Sequence, residues 1–394
     1  MYNKDMKTIG VFFGSRSPEH DVSIVTAQLI ISGLKKLNYN IVPVYIDKKG
    51  RWLINEKLNS IKFFTDPSSN LKLSKIKNFY LELSEVTGKQ TFQEKSLLAK
   101  KVSIDLAFPA FHGQNGEDGT FQGMMELLNI PYVGCDTASS ALAMDKVLTK
   151  LLYQSINIPT TKFCFIASND WLLSKRKTLQ CFKTLKWPLI VKPARLGSSI
   201  GISKAKNQKE LEFAIEVALH YDSKVIIEEC VENLMDVTCC LIGNDEPTPS
   251  LLQESVFESE FFSYEDKYLK EGGAQIGNAQ KSIIIPARLD EKTTKEIQKS
   301  AVEIYKLFGC SGIARVDFLY DKKSKKWYAN EINTLPGTLY HHLWKKSGIE
   351  FEELLKKLIS FAEEKYQQKK SITYTFDSNI LNQASSTKLS LKGL

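Results

Sequence analysis

The chain has 394 residues, which is enough for two or three domains of ordinary size. Its composition, with 43% hydrophobic and 25% charged residues, is typical of globular proteins and excludes collagen-like and disordered chains. The formal net charge of +8 arises in two lysine-rich segments, residues 72–101 and 365–394. Because these lysines are scattered and do not alternate with aromatic residues, we expect a solvated surface and no nucleic-acid binding.

The sequence contains no run of about eighteen apolar residues, so we expect no membrane span. Its seven cysteines show no Cys-x-x-Cys pair and no regular spacing. An odd number of irregularly spaced cysteines in a chain of this length favours reduced thiols. We therefore expect a cytoplasmic protein.

The N-terminal residues predict a strand, a helix and a second strand. Residues 9–13 are apolar and indicate a buried strand, and Ser17 and Pro18 then stand where a helix N-cap and the first helical residue are expected. Apolar residues at helical spacing follow, and residues 39–46 predict the second strand. This order is typical of a parallel sheet.

Residues 51–101 are polar and weakly periodic, and we interpret them as an insertion. Residues 106–111 predict a further strand, which leads into a glycine-rich loop at 112–119. A single helix is then expected over about 139–154.

The middle of the chain alternates short strands and helices. Residues 188–193 predict a strand that ends in a Gly/Ser loop, residues 208–220 a helix and residues 224–229 another strand. The long, polar, glycine-rich segment 255–280 has no periodicity, which is typical of a functional lid.

The C-terminal third predicts helices over 292–308 and 350–366, separated by a hairpin over 312–333. After residue 370 the sequence becomes a polar tail with one strand-like run at 372–376.

The hairpin carries the strongest chemical signal. A turn centred near Ser324 would place Asp317 across from Glu331, with Arg315 on the face of Asp317 and Asn333 on the face of Glu331. Two carboxylates and an amide oxygen on one face would suit Mg²⁺. The alternative is a surface hairpin with cross-strand charge pairs.

A second candidate site begins with Lys192, at the end of an apolar strand, and continues through the loop 197–201. Backbone N–H groups of a Gly/Ser loop can bind phosphate, and the lysine can add a positive charge. The sequence matches neither the Walker A pattern nor the dinucleotide pattern. By itself it is also compatible with an ordinary turn, the interpretation we favour from these residues alone.

Several other polar residues allow two interpretations. Glu19, in the first turn of the predicted helix, either complements the helix dipole, which we favour from the residues alone, or binds a substrate ammonium. His112 is either a donor to substrate or a loop residue. Residues 264–268 are either a lid tip or surface decoration, and we do not expect the adjacent His341 and His342 to bind a metal.

Seven short motifs occur in an order that resembles the D-alanine–D-alanine ligases, a family of ATP-grasp enzymes. They span roughly residues 8–345. They are GSRSPEHDVS at 14–23, HGQNGEDG at 112–119, MDK at 144–146, VKPARLGSSIG at 191–201, YEDKY at 264–268, RVD at 315–317 and EINTLPG at 331–337.

The resemblance implies an α/β fold with a three-domain ATP-grasp architecture and an N-terminal parallel sheet. The implied units are an N-terminal substrate domain over 1–134 with the insertion 51–101, a central domain over 135–231, a C-terminal domain over 232–370 with the lid 255–280, and a tail over 371–394. A homodimer is also implied.

The resemblance further implies which residues bind ATP and metal. The implied ATP-binding residues are Lys146, Lys192, Ser199, Glu228, Glu229, Val231, Asp236 and the lid residue Lys267. The implied ligands of two Mg²⁺ or Mn²⁺ ions are Asp317, Glu331 and Asn333, in agreement with the predicted hairpin face.

The remaining implied roles concern the reacting amino acids. Arg315 and the backbone of Gly337 would stabilise a tetrahedral oxyanion, while Glu19, Ser198 and Tyr268 would form a hydrogen-bonded set over the substrates. Glu19 would face the ammonium of the first D-alanine, with His112 beside it. Where the family usually has a serine that binds the second amino acid, this chain has His342, followed by Leu343.

The implied reaction joins two D-alanines through an acyl phosphate, with ATP and D-alanine as small-molecule partners. A related alternative is a ligase that joins D-alanine to a different amino or hydroxy acid. An alternative of another class is an ATP-binding regulator without ligase chemistry, which would not require an arginine at the oxyanion.

Overall fold

A computed structural model of the chain describes residues 6–83, 88–96, 99–256 and 283–378. Most of the predicted lid 255–280, including Lys267 and Tyr268, lies outside the described residues, as does the tail beyond residue 378. Within the described residues, no helix combines the length and apolar character needed to cross a bilayer.

The N-terminal sheet has seven strands, in the order β6-β5-β4-β3-β2-β1-β7. They are β1 (Thr8–Gly14), β2 (Asn40–Ile46), β3 (Trp52–Ile54), β4 (Asn78–Glu82), β5 (Gln90–Glu94), β6 (Lys101–Ile104) and β7 (Leu106–Pro109). Strands β2, β1 and β7 run parallel, and the pairings from β2 to β6 are antiparallel. The predicted parallel sheet is therefore confirmed for three strands, within a sheet that is mixed as a whole.

Residues 51–101, which we interpret as an insertion, form regular structure despite their weak sequence periodicity. The segment contributes β3 to β6 and two short helices, α2 (Ile61–Thr65) and α3 (Ser69–Ser74). Strands β4 and β5 each combine buried and more exposed side chains. Phe79 of β4 and Phe92 of β5 are buried, and several of their neighbours are more exposed. Antiparallel strands with one exposed face have a polar composition, which explains why the pattern was weak.

Helix α1 (His20–Lys36) begins later than predicted, because Glu19 and not Ser17 occupies its N-cap position. The hydroxyl of Ser17 accepts from the backbone N–H of Glu19 at 3.1 Å and donates to the carbonyl of His112 at 2.7 Å. Ser17 thus connects the start of α1 to the loop 112–119.

The central sheet has four antiparallel strands in the order β10-β9-β11-β8. They are β8 (Phe163–Ala167), β9 (Leu189–Pro193), β10 (Ser203–Ala205) and β11 (Lys224–Glu229). The helices between β7 and β11 are α4 (Thr120–Leu127), α5 (Thr137–Met144), α6 (Lys146–Ser155), α7 (Ser168–Leu173), α8 (Lys175–Thr178) and α9 (Gln208–Tyr221).

The single helix predicted over 139–154 is wrong, because α5 and α6 are separated at Asp145. The Asp145 backbone is extended, and its carboxylate accepts from the N–H groups of Val147 and Leu148 at 3.0 and 3.2 Å. This is a helix N-cap, which starts α6 afresh and places Lys146 at its first position.

The C-terminal sheet has five strands in the order β14-β13-β12-β15-β16. They are β12 (Leu234–Gly243), β13 (Thr248–Ser255), β14 (Ile283–Ile284), β15 (Gly312–Asp321) and β16 (Lys326–Asn333). The helices of this part are α10 (Glu291–Leu307), α11 (His341–Lys346) and α12 (Phe351–Lys370). The predicted hairpin and the two predicted helices are confirmed.

The strand predicted at 372–376 is wrong, since these residues form no regular structure. Ile372, Tyr374 and Phe376 are 57%, 72% and 85% exposed, so their apolar side chains have no sheet to pack against.

One hydrophobic core joins the N-terminal and C-terminal sheets. It includes Ile30 of α1, Leu355 of α12 and Ile313 of β15. Helices α1 and α12 approach closely at Gly33, where a Cβ atom would lie 2.4 Å from Cδ1 of Leu355. This packing fixes the start of α1 relative to β15, the two elements that carry Glu19 and Arg315.

Candidate active site

The predicted pairing of Asp317 with Glu331 is confirmed in the β15–β16 hairpin, where Arg315 also pairs with Asn333. It depends on a β-bulge, because Phe318 pairs with Ala329 and the register shifts at this point. The extra residue is Asn330, and both Asn330 and Glu331 line the same cavity. A bulge thus adds one polar residue to the face that carries the predicted site.

Asp317 is held by three donors. The guanidinium of Arg315 donates to both of its oxygens at 2.6–3.0 Å, the Thr238 hydroxyl donates at 2.9 Å and the Asn333 amide donates at 3.2 Å. Burial favours a lower pKa for Arg315, but the negative charge of Asp317 outweighs it and raises the pKa well above its usual value. The Arg315 guanidinium therefore stays charged beside Asp317, with Glu331 Oε1 3.9 Å from it.

The three predicted metal ligands offer only oxygen donors in two carboxylates and an amide. The described part of the chain contains no group of three or more His, Cys, Asp or Glu residues that could hold a metal. A Mg²⁺ ion that also binds phosphate oxygens and water needs only one or two protein carboxylates. The two carboxylates and the amide oxygen found here therefore fit Mg²⁺. The alternative of a surface hairpin is wrong, because Arg315 and Asp317 are buried.

A cavity of about 690 Å³ lies between the central and C-terminal sheets and opens onto this cluster. All of the predicted ATP-binding residues that the structure describes line it: Lys146, Lys192, Ser199, Glu228, Glu229, Val231 and Asp236. Arg315, Asp317 and Glu331 also line it, so residues as far apart in the sequence as Lys146 and Glu331 are brought to one cavity.

Two lysines enter the cavity from different elements. Lys146 donates to the carbonyl of Leu196 at 2.8 Å and lies 3.6 Å from Glu331. Lys192 forms an ion pair with Glu228. Burial favours a lower pKa for Lys192, but the negative charge of Glu228 outweighs it and raises the pKa, so the ammonium stays charged.

The loop 197–201 is strained in a way that suits a binding role. Ser198 and Ser199 have φ values of 54° and 59°, in the left-handed region that non-glycine residues rarely adopt. Such strain persists only where surrounding contacts hold it, and it clusters at ligand-binding sites.

A smaller pocket adjoins the large cavity and shares Lys146, Gly197, Ser198, Arg315 and Glu331 with it. Its other lining includes Glu19, His112 and Gly337, so the described members of the predicted catalytic set meet here.

Glu19 makes no side-chain capping hydrogen bond to α1, and Ser198 donates to its carboxylate instead. Gly113, with φ of +72°, allows this approach, because a Cβ atom there would lie 2.6 Å from Glu19 Oε2. The interpretation of Glu19 as a mere complement to the helix dipole is therefore wrong, since its carboxylate faces the pocket.

Two pocket residues were missed by the sequence analysis. Glu117 lines the small pocket with its Oε1 3.2 Å from Nδ1 of His112, whose Nε2 lies 2.8 Å from the Thr26 hydroxyl. Burial raises the pKa of Glu117. The sequence feature that could have identified Glu117 is its position in the HGQNGEDG motif. Tyr340 lines the large cavity and lies under the Arg315 guanidinium, 5.0 Å from its ring centre, a contact that no sequence pattern indicated.

His342 and Leu343 do not line either of these two cavities. His342 Nε2 lies 2.7 Å from Oε1 of Gln253, and Leu343 is fully buried in the apolar core. The prediction that these side chains line the substrate site is not met by the described geometry. The chain turns through three left-handed residues, 338–340, and this turn brings Tyr340 to the cavity.

Fold and site together define an α/β ligase with the ATP-grasp architecture. Two family models match the chain, "D-ala D-ala ligase N-terminus" over residues 8–135 and "D-ala D-ala ligase C-terminus" over residues 152–360. The chain belongs to the D-alanine–D-alanine ligase family.

Curated relatives and solved structures agree with this assignment. The D-alanine–D-alanine ligases of Thermosipho melanesiensis and Caldicellulosiruptor bescii are each 40% identical, over 95% and 93% of this chain and 98% of each relative. The D-alanine–D-alanine ligase from Coxiella burnetii matches with a TM-score of 0.78 at 30% identity, over 93% of this chain and 97% of that one. The VanG D-Ala:D-Ser ligase from Enterococcus faecalis matches with a TM-score of 0.75 at 34% identity, over 91% and 100%.

Proposed function

We propose that this protein joins two D-alanines to D-alanyl-D-alanine at the expense of ATP, with ADP and phosphate as the other products, for peptidoglycan precursor synthesis. The observation that carries the proposal is the continuity of the two cavities. The small pocket around Glu19 has the charge and size for an amino acid, and it shares Lys146, Arg315 and Glu331 with the cavity large enough for a nucleotide. The family membership and the relatives' names support the same reaction.

In the first step the carboxylate of one D-alanine attacks the γ-phosphate of ATP and forms an acyl phosphate. Glu19 faces the ammonium of this D-alanine, with His112 beside it. Lys146 and Lys192 neutralise charge on the phosphate oxygens, where negative charge develops. The buried position of Glu19, only 6% exposed, strengthens its attraction for the ammonium.

In the second step the amine of another D-alanine attacks the acyl carbonyl, a tetrahedral oxyanion forms, and phosphate leaves. Arg315 and the backbone N–H of Gly337 stabilise this oxyanion. The guanidinium suits the role because Asp317 keeps it charged and Tyr340 packs against its face.

Asp317, Glu331 and Asn333 would hold two Mg²⁺ or Mn²⁺ ions, which supply positive charge to the phosphate oxygens. Thr238 and Arg315 orient the Asp317 carboxylate from behind the site. ATP and free amino acids are small cytosolic molecules, so we propose a cytoplasmic enzyme. A homodimer and the domain boundaries at 134/135 and 231/232 are part of the same proposal.

The decisive experiment offers the enzyme ATP, Mg²⁺ and a mixed pool of D-alanine, D-serine and D-lactate, and identifies products by mass spectrometry. We expect D-alanyl-D-alanine as the main product and ADP release that requires D-alanine. If the main product instead joins D-alanine to D-serine or D-lactate, that acid and not D-alanine is the second substrate. ATP binding without any ADP release would favour the non-catalytic regulator.

A further inference from the structure

Three buried charges form a chain behind the large cavity. Glu228 is 1% exposed, and its Oε1 forms an ion pair with Lys192, which lines the cavity. Its Oε2 accepts from the Thr161 hydroxyl at 2.7 Å and pairs with Lys150 at 2.8 Å. Lys150 is also 1% exposed, and neither the sequence motifs nor the proposed mechanism uses it.

Hydrogen bonding shows that Lys150 is an ammonium. Its Nζ lies 2.8 and 2.9 Å from the hydroxyls of Thr160 and Thr161. The hydroxyl protons of these threonines are donated elsewhere, to the carbonyl of Ala329 and to Glu228. Both hydroxyl oxygens therefore accept from Lys150, and the Glu228 carboxylate accepts its third proton.

Lys150 has no proton left for a ligand, because all three are used inside the protein. It is also absent from the lining of both cavities. Any effect of Lys150 on the nucleotide must therefore pass through Glu228 and Lys192.

The charge balance of the chain indicates what this effect is. Lys192 and Glu228 alone would form a neutral pair, and a neutral pair attracts phosphate weakly. Lys150 brings the net charge of the three groups to +1. Lys192 and Glu228 both line the cavity, and Lys192 also lies 3.4 Å from the Asn330 amide oxygen. Where the effective dielectric constant is lower than in water, one unit of charge acts strongly on an anion nearby.

We propose that Lys150 is a positioning residue for nucleotide binding, which neutralises Glu228 so that the positive charge of Lys192 remains available to the phosphates. This inference rests on the proposed use of ATP. Lys150 stands one helical turn after Lys146 on α6, so one face of this helix supplies a lysine to the cavity and a second lysine to the carboxylate behind it.

Burial lowers the pKa of Lys150, although the negative charge of Glu228 acts in the opposite direction. The hydrogen bonds to Thr160, Thr161 and Glu228 are the observation that assigns Lys150 as an ammonium. Burial favours a raised pKa for Glu228, but Lys150 and Lys192 outweigh it and hold the pKa below its usual range. Glu228 thus remains a carboxylate that both lysines can share.

The alternative role for Lys150 is purely structural, since it connects α6, residues 160–161 and β11. The two roles differ in what happens when the partner charge is removed as well. If charge balance matters, Lys150→Met should weaken nucleotide binding in the wild-type enzyme and have a much smaller effect in a Glu228→Gln background, where no carboxylate remains to be neutralised. If Lys150 only braces the fold, Lys150→Met should weaken binding equally in both backgrounds.

The experiment measures kcat, the KM for ATP and the KM for D-alanine, together with ADP binding by calorimetry. Lys150→Met is expected to raise the KM for ATP by about tenfold or more, with kcat and the KM for D-alanine within about threefold of wild type. Because Glu228 itself lines the cavity, the double variant Lys150→Met/Glu228→Gln is compared with Glu228→Gln alone, and their KM values for ATP are expected to agree within about threefold. A KM about tenfold higher in the double variant than in Glu228→Gln overturns the proposal.

Thr160→Val is the matched control, because it removes one acceptor of Lys150 and leaves all three charges in place. It should lower the melting temperature but keep the KM for ATP within about twofold of wild type. A KM raised as much as in Lys150→Met would assign the effect to packing and overturn the proposal.

If Lys150→Met does not fold, the double variant decides, because it also removes Glu228, the carboxylate that Lys150→Met leaves with one cation fewer. A KM for ATP within about threefold of that of Glu228→Gln supports the proposal, and one about tenfold higher contradicts it. A wild-type enzyme that releases no ADP with D-alanine would instead refute the proposed function. ADP binding by the same variants would then still test Lys150.

Discussion

Glu331 and Asp317 face each other but have different surroundings. Asp317 is buried and accepts from Arg315, Thr238 and Asn333, whereas the Glu331 side chain is 22% exposed at the junction of the two cavities. Glu331 also lies within 4 Å of both Lys146 and Arg315. It is therefore the carboxylate whose charge both cavities share.

Glu331→Gln keeps the shape of this side chain and removes its negative charge. We expect kcat to fall by about a hundredfold or more, because the phosphate-binding site loses one of two carboxylates that would hold Mg²⁺. The melting temperature should change little. Steady-state ADP release measures the effect, and increasing Mg²⁺ should recover part of the activity. Glu303→Gln, at an exposed position on helix α10, is the matched control and should behave as wild type. Near-normal turnover in Glu331→Gln would refute the metal assignment.

For individual residues, the sequence predicted correctly the neighbours that lie on adjacent strands of one hairpin. Asp317, Glu331 and Arg315 lie on two adjacent strands, so alternation and a turn position were sufficient to place them together. His342 was placed by counting along the chain from Gly337. Counting cannot show that three left-handed residues intervene and direct Tyr340, not His342, to the cavity.

The bulge at Asn330 and the break between α5 and α6 at Asp145 show why the periodicity of apolar residues does not predict where strands and helices are interrupted. The residue pairs nearest the turn run from Phe318 with Ala329 to Asp321 with Lys326, and they centre the turn half a residue before Ser324. The bulge then restores the pairing predicted for Asp317. At Asp145 the apolar spacing continues across the break, and only the preference of aspartate for N-cap positions marked it.

Asp145→Ala removes the N-cap of α6. We expect the free energy of unfolding to fall by about 1–2 kcal/mol, because two backbone N–H groups lose their acceptor and Lys224 loses its ion-pair partner. The KM for ATP should also rise, since Lys146 is the first residue of this helix. Urea unfolding and steady-state kinetics measure the two effects.

Asp290→Ala is the matched control for this cap. Asp290 caps α10 by accepting from the N–H of Thr293 at 2.9 Å, and it does not line either cavity described above. It should lower stability by a similar amount and leave the KM for ATP unchanged. If both variants raise this KM equally, the cap of α6 has no special role in placing Lys146.

The molecule as a whole is held together by a core that the sequence did not reveal. Apolar residues of α1, β1, α12 and β15 pack in one cluster, so residues near the N-terminus and the C-terminus of the chain stabilise each other. Periodicity identified these helices and strands separately. It contains no information on which apolar faces meet, because that depends on long-range packing. The proposed boundary at 231/232 therefore divides the sequence, but in the fold the shared core joins the proposed N-terminal domain to the proposed C-terminal domain.

One buried histidine, His20, and two half-buried histidines, His341 and His342, make stability depend on pH. Burial, reinforced by the charge of His341, lowers the pKa of His342 from 6.5 to about 4, and burial lowers those of His20 and His341 as well. Below pH 6.5 the unfolded chain binds protons that the folded chain excludes. The free energy of unfolding should therefore fall as the pH decreases from 6.5 towards 4.

For His342 the expected loss is about 2 kcal/mol between pH 7 and pH 5, since each pK unit corresponds to about 1.4 kcal/mol. His342→Gln should remove this part of the decrease, because glutamine does not titrate, whereas His220→Gln, at an exposed position on α9, should keep all of it. Urea unfolding of the three proteins at both pH values measures the difference. Carboxylates with a lowered pKa, such as Asp47 and Glu254, begin to lose their stabilising contribution at about pH 5, but they do so equally in all three proteins and cancel in the comparison. An equal decrease in His342→Gln and wild type would show that His342 is not buried as a neutral ring against Gln253.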